Sequence, residues 1–313
     1  MPNASLSLDI DYRYQHASCL EPNGRRLRLA TCGGVTSANG ETSPVFFEGQ
    51  LLRPRLAAEQ LRALFKVVQS RFHVPAAMLG RILALADPVV TCHEDRLRWE
   101  GFSSCCGAYA RVDWLPAALR GETLGRGTTN IDFNPPLLAA LASLGTSDRL
   151  ELTVGQRAVE FRKNDDAAVV EKKVKLPLRW LKGFVEVQSC LSRMQLRFET
   201  DGLEARRFFR ELPRMKTHRR ASYVVPSGRG LRVSQLSESD SGAVRVGGLE
   251  RLRSLETLAP QAETLRVFGD SATGASAWEL DFGDSRFQLA ISPEVWRGFS
   301  GEGQSLSRLA TRA

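Results

Sequence analysis

Apolar and polar positions alternate in short runs along the first fifty residues. The pattern predicts strands at Ser5–Tyr12, Arg25–Thr31 and Val45–Leu51, separated by the turn pairs Asn23-Gly24, Gly33-Gly34 and Asn39-Gly40. The period then lengthens. From Pro54 to about Arg71, Leu61, Leu64, Phe65 and Val68 recur at helical spacing, and a second helical piece, Pro75–Ala86, stops at Asp87-Pro88. Strand patterns resume in VVTCHED (89–95), RLRWEGF (96–102) and AYARVDW (108–114). A Gly/Thr-rich loop is expected over Gly121–Asn130. After it come IDFNPP, a short helix LLAALASL (137–144), and strands in RLELTVG, AVEFRKN and AVVEKKVKL (168–176).

The remainder repeats this order. Leu178–Met194 reads as a helix with Trp180, Leu181, Phe184, Val187, Leu191 and Met194 on one side. Another helix follows in LEARRFFREL, with Asp201 as N-cap and Glu204 three residues on; its apolar positions are Leu203, Ala205, Phe208, Phe209 and Leu212. Strands YVVP, GLRVSQL and AVRVGG, a helix LERLRSLETL, and strands TLRVFGD, AWELDFG and RFQLAIS complete the series. A helix near Gln304–Ala310 follows a glycine-rich entry.

Four units emerge, each a strand, a helix and three strands, beginning near Val45, Ile131, Leu196 and Ala243; AVRVGG reads both as the end of the third unit and as the start of the fourth. The expected fold class is α+β, with two lobes at 1–178 and 179–313. Four such units, two per lobe, are what a sliding-clamp-like fold would use, with sheets outside and helices on a shared face. A generic α+β chain whose elements happen to alternate is the competing description. LLAALASL has no basic residue, which leaves one helix position bare for a clamp around a duplex.

Charge sharpens the picture. Between Lys172 and Arg220 stand fourteen Lys and Arg against five acids, a net of +9, while the whole chain carries +8. In the helix from Leu178, Arg179 and Lys182 fall away from the apolar side. In the next helix Arg206, Arg207 and Arg210 gather on one face, and the run Arg214, Lys216, Arg219, Arg220 continues from its end. With Lys172, Lys173 and Lys175 these residues form the candidate anion-facing surface, best suited to nucleic acid. The plainer account is that they solvate helices whose other faces are core. The aromatic residues Trp180, Phe184, Phe208 and Phe209 are able to stack on bases, but their apolar-face positions read as packing.

Six stretches carry a resemblance: FFEGQLLRP (46–54), FSSCCGAYARVD (102–113), GTTNIDFNPP (127–136), VEKKVKLPLRWLKGFVEVQ (170–188), EARRFFRELPR (204–214) and SPEVWRGFSGEG (292–303). Together they resemble the upstream region of bacterial SWIM zinc-finger family proteins, over nearly all of the chain. The finger of that family, a CxC…CxH zinc-binding element, has no counterpart here, so no zinc ligands carry over. The resemblance implies a bacterial cytoplasmic protein that binds nucleic acid or protein partners, in families often encoded near AAA+ ATPases and von Willebrand A-type proteins. It implies no catalytic activity.

The remaining chemistry is sparse. Cys92, His93, Cys105 and Cys106 lie no more than fourteen positions apart but lack knuckle spacing, and adjacent strand cysteines point to opposite faces. His16, His73, His93 and His218 stand in no catalytic context, GFSGEG (298–303) is neither a nucleophile elbow nor a phosphate loop, and Asp132 and Glu100 have no visible partner. Catalytic residues, metal and cofactor are therefore expected to be none. Met1–His16 shows neither a basic nor an apolar leader segment, and no apolar run reaches membrane-spanning length, so a cytoplasmic location is expected. Two functions remain open: a non-enzymatic, nucleic-acid-associated module, or a protein-interaction adaptor whose basic face docks an acidic partner such as an AAA+ ATPase or a von Willebrand A-type protein.

Overall fold

The computed structural model of the chain describes residues 19–20, 27–30, 45–70, 88–131, 133, 135–156, 158–164, 178–214, 222–228, 230–235, 242–294 and 298–299, without the side chains of 19–20, 27–30, 158 and 178–181. The expected strands Ser5–Tyr12 and AVVEKKVKL, the helical piece Pro75–Ala86 and the helix near Gln304–Ala310 lie outside the described residues.

Lobe one begins with the short antiparallel pair β1 (Cys19–Leu20) and β2 (Leu27–Ala30), then β3 (Val45–Leu51) and α1 (Pro54–Gln69). Pro54 opens α1 where no intrahelical N–H is needed, and the i, i+3, i+4 spacing of Ala57, Leu61, Leu64, Phe65 and Val68 buries one side. The antiparallel run β4 (Val89–Cys92), β5 (Leu97–Phe102) and β6 (Ala108–Trp114) follows. Gly121–Asn130, expected as a loop, instead contributes to β7 (Leu119–Thr123) and contains the whole of β8 (Gly127–Asn130). The side chains of β7 are mostly exposed, so no alternation marks it. Its ladder is set from outside, by β3. Gly49 opposes Gly121 there, and a Cβ built at Gly121 would stand 2.2 Å from the Glu48 carbonyl oxygen. Helix α2 (Pro135–Ala142) and strands β9 (Leu150–Gly155) and β10 (Ala158–Lys163) complete the lobe.

Helix α3 (Leu178–Leu191) leads to lobe two: β11 (Gln195–Asp201), α4 (Gly202–Glu211), β12 (Ser222–Ser227), β13 (Gly230–Ser234), β14 (Val244–Val246), β15 (Thr264–Gly269), β16 (Ser276–Asp281) and β17 (Ser285–Ile291). The helix expected in LERLRSLETL is a 3-10 segment over Leu249–Leu255, with a second short one at Ala259–Gln261. Leu249, Leu252, Leu255 and Leu258 are all buried. A spacing of three matches the 3.0-residue turn of a 3-10 helix better than the 3.6 of an α-helix.

The strands form sheets ordered β1-β2-β10-β9-β3-β7, β11-β15-β16-β17-β6-β5-β4-β8 and β13-β12-β14. The lobes repeat. β3, β9, β10, β4, β5 and β8 correspond to β11, β15, β16, β12, β13 and β14, and β14 pairs with β12 as β8 pairs with β4. AVRVGG therefore opens the fourth unit, and among the described residues the third unit keeps two strands after its helix. Among the described residues the strands of lobe one end at Lys163 and those of lobe two begin at Gln195, with α3 between them.

The eight-stranded sheet joins the lobes through β6 and β17, antiparallel over seven residue pairs from Ser285↔Trp114 to Ile291↔Ala108. Register partners share a face. On one side Trp114, Val112 and Ala110 continue into Ser285, Phe287 and Leu289, then Leu280 and Trp278. Helix α1 packs there. Its buried Gln60 accepts from Trp114 Nε1 at 2.7 Å and donates to Ser285 Oγ at 2.9 Å. Helix α4 packs on the same side, with Phe208 stacked on Trp278 at 5.8 Å. On the reverse side runs a ladder of charge: Arg98 and Arg111 on the buried Asp113, then Arg286, Asp281 and Arg266. Beside it an apolar row is covered by α3, whose Phe184 ring lies 5.0 Å from Phe102 and 6.2 Å from Tyr109.

A second tie crosses the junction. Arg251, 1% exposed, donates to the Gly107 carbonyl at 2.8 Å and to Ser292 Oγ at 3.1 Å, and Ser292 and Phe299 donate to the Gly107 and Cys106 carbonyls. Cys106 takes φ +54 in this turn, a left-handed conformation that an L-residue rarely adopts.

Replacing Gln60 by Leu strands the Trp114 N–H. At about 1–3 kcal/mol for a buried orphan, with a smaller loss at Ser285, the variant should unfold at lower urea concentration by at least ~1 kcal/mol; an unchanged midpoint would show that the relay does not couple α1 to both lobes. Glu100 supplies a pH test. Burial pushes its carboxyl above the usual range, opposed by a hydrogen bond from the Tyr109 hydroxyl and by Arg98 and Arg111. With the folded pKa raised, its contribution to stability is complete below the unfolded value near ~4.3 and is lost as pH rises through the folded value. Glu100→Gln should therefore gain stability relative to the unsubstituted chain between acidic and neutral pH in denaturant titrations, and a pH-independent difference would refute the shift.

Candidate nucleic-acid interface

Helix α4 carries the densest set of expected site residues. Asp201 caps it, accepting from the Glu204 N–H at 2.9 Å, and Ala205, Phe208 and Phe209 are buried against the sheet. Leu203, expected among the apolar positions, is 73% exposed at the first turn. Arg206, Arg207, Arg210 and, just past the helix, Arg214 are exposed. Arg207 leans on two carboxylates, Glu211 at 3.2 Å and Glu204 at 4.0 Å. Exposed pairs of this kind hold a side chain by roughly 0.2–1 kcal/mol, weak enough to exchange for a phosphate.

The surface expected over 172–220 is divided by the sheet. Lys182 is exposed on α3, which lies on the reverse face, so it does not join the α4 arginines. Arg179 is in the first turn of α3 with its side chain outside the description. Lys172, Lys173, Lys175, Lys216, Arg219 and Arg220 lie outside the described residues. Helix α3 turns away because its apolar stripe, centred on Phe184, Val187 and Cys190, covers the Phe102–Tyr109 row opposite α1 and α4.

Helix α1 supplies basic residues that the sequence reading did not single out. Arg55, Arg62 and Lys66 are exposed, three cations against the single carboxylate Glu59, which pairs with Arg55 at 3.0 Å. Their spacing of seven and four marks one helical face, a signal present in the sequence beside the apolar positions of the same helix. Glu59 also accepts from Gln261, whose 3-10 turn packs against α4, so the exposed faces of α1 and α4 are linked across the same layer. Arg253 donates to the carbonyls of Leu212 and Pro213 and fixes the chain where it leaves α4. Helix α2 packs beside α1 and adds no charge to the layer.

The cysteines do not converge. Cys92 ends β4 opposite the start of β5, whereas Cys105 and Cys106 lie beyond its other end. Burial raises the Cys92 thiol, and it raises that of Cys190, beside Asp270, to about 11. Among the described residues no group of three His, Cys, Asp or Glu side chains is placed to hold a metal, and no helix is long and apolar enough to cross a membrane.

Neither a protein-family model nor a curated protein matches the sequence. Solved structures do match in shape. The chain is similar to the crystal structure of Proliferating Cellular Nuclear Antigen from Entamoeba histolytica, with a TM-score of 0.51 and 10% identity over 80% of this chain and 100% of that one. It is similar also to the PCNA2–PCNA3 complex from Sulfolobus tokodaii, with a TM-score of 0.50 and 10% identity over 79% and 99%. At such identity the likeness concerns the fold, which is α+β and sliding-clamp-like, as the repeating element order predicts.

Because Arg206 and Arg210 touch no core, Arg206→Ala with Arg210→Ala should shift the urea midpoint by no more than about 0.5 kcal/mol per site. A larger loss would make these arginines structural.

Proposed function

We propose that the chain is a non-enzymatic binding module that lays a nucleic-acid backbone along its helical layer. Arg55, Arg62 and Lys66 of α1 and Arg206, Arg207, Arg210 and Arg214 at α4 supply the cations. The observation that carries this reading is that both helices turn exposed basic faces to one side of one continuous sheet. Lys216, Arg219 and Arg220, next in sequence after Arg214, are further candidate contacts in this reading. The contacts are with phosphates, since arginine and lysine on a helix face give affinity and register without reading base edges. The clamp-like fold supports the reading, and kinship with SWIM zinc-finger family proteins, in a bacterial cytoplasm, belongs to it.

A second reading rests on Arg207. Its pairs with Glu204 and Glu211 show the face taking carboxylates, so an acidic protein such as an AAA+ ATPase or a von Willebrand A-type protein is the alternative partner.

Anisotropy titrations of duplex DNA over a salt series separate the two. Each phosphate contact contributes about 0.9 to the log–log slope, so Arg206→Ala with Arg210→Ala should flatten it by ~1.8. Arg62→Ala with Lys66→Ala should act similarly, and Lys182→Ala should leave the slope alone. An unchanged slope in both double variants removes this face as the phosphate contact. Absence of binding even at low salt leaves the acidic-partner reading.

A further inference from the structure

In each lobe three strands correspond in the same order, β3, β9 and β10 in one and β11, β15 and β16 in the other, and the lobes part at the next position. In lobe two the chain runs β15, β16, β17 without a break, and the outer edge of β17 then pairs with β6 over seven residue pairs. In lobe one β9 and β10 match β15 and β16, but the strand beside β10 comes from the other end of the chain. It is β2, in register from Ala158↔Ala30 to Phe161↔Leu27. The outer edge of β2 carries β1, paired at Cys19↔Arg28 and Leu20↔Leu27.

We propose that the β1–β2 hairpin is a built-in edge cap, occupying the place from which lobe one would otherwise pair head to tail with a second copy of the chain. The repeat identifies that place. In lobe two the strand beside β16 makes the junction to the neighbouring lobe, so the strand beside β10 stands where the equivalent junction would pass to another molecule. A junction of that kind is heterologous, and its repetition closes a ring or grows a filament. Strand edges of this sort are templates for association unless something covers them. β10 gives such a template six residues, with Val159 and Phe161 buried under the sheet's own core. β2 fills it from within one chain, where no concentration of partner is required. The cap thus holds the chain as a single copy and leaves its helical layer open on one side. The inference stands whether or not that layer binds nucleic acid.

The test uses the full chain and two variants. Light scattering after gel filtration should give the mass of one chain, 34.6 kDa, across a wide concentration range. Leu29→Pro removes a ladder donor from β2, and the variant should shift to twice that mass or more as the β10 edge is released. Leu29→Cys with Val159→Cys places two thiols at directly opposed positions. Opposed Cα atoms of an antiparallel pair stand about 4.5–5.5 Å apart, within the range a disulfide spans, so mild oxidation should give an intrachain bridge by peptide mapping. An unsubstituted chain that assembles into rings or filaments would overturn the proposal. So would a Leu29→Pro variant that remains a folded single copy, or a cysteine pair that bridges only between chains.

Discussion

The antiparallel ladder between β6 and β17 is the constraint on which the rest of the molecule depends. It unites strands whose paired residues lie 171 to 183 positions apart into one sheet and so makes two repeating lobes into one body. Backbone pairing alone would leave the sheet free to bend there. Two buried side chains prevent it. Gln60 reaches from α1 to a donor on β6 and an acceptor on β17, and Arg251 brings its guanidinium from lobe two onto the Gly107 carbonyl of lobe one. In an interior where an unpaired polar group costs about 1–3 kcal/mol, such groups define one arrangement and penalise its neighbours.

The two faces of that sheet have different chemistry for the same reason. Side chains alternate along a strand, so a continuous ladder carries a face across both lobes without interruption. The face of Trp114, Phe287 and Trp278 is apolar and collects helices. The face of Arg98, Asp113, Arg286 and Asp281 is charged and self-neutralising, each arginine offset by a carboxylate on the next strand. Net positive charge therefore lies on the helices, where three cations of α1 face one carboxylate and the arginines of α4 extend past Glu211. The division between a neutralised sheet face and a basic helical face is what makes the helical side the one to test for the proposed anionic partner.

The connector α3 belongs to the opposite side. Gly183 allows it to approach closely: a Cβ built there would stand 2.6 Å from the Phe299 carbonyl oxygen and 3.1 Å from the Phe102 ring. FSSCCGAY and the stretch from Ser292 meet beneath it, which gives two of the resembling sequence pieces a physical role in closing the lobe junction.

Local pattern settled the elements whose side chains alternate or recur against a core. Val45–Leu51 and the helices from Pro54, Leu178 and Asp201 were legible because burial of one side imposes a period on the residues themselves, and the repeating order of such elements was enough for the fold class. Elements whose geometry comes from a neighbour were not legible. β7 has no alternation because β3 sets its ladder, and LERLRSLETL opens as a 3-10 segment because the interior takes a leucine at every third residue. The candidate site divides in the same way. The arginine face of α4 follows from helical spacing, but which helices share a side does not, since that depends on the register of strands far apart in the chain. Only the tertiary structure separates Lys182 from Arg206, Arg207 and Arg210 and brings Arg55, Arg62 and Lys66 to their side, because the sheet between them has two faces and the sequence does not say which helix packs on which.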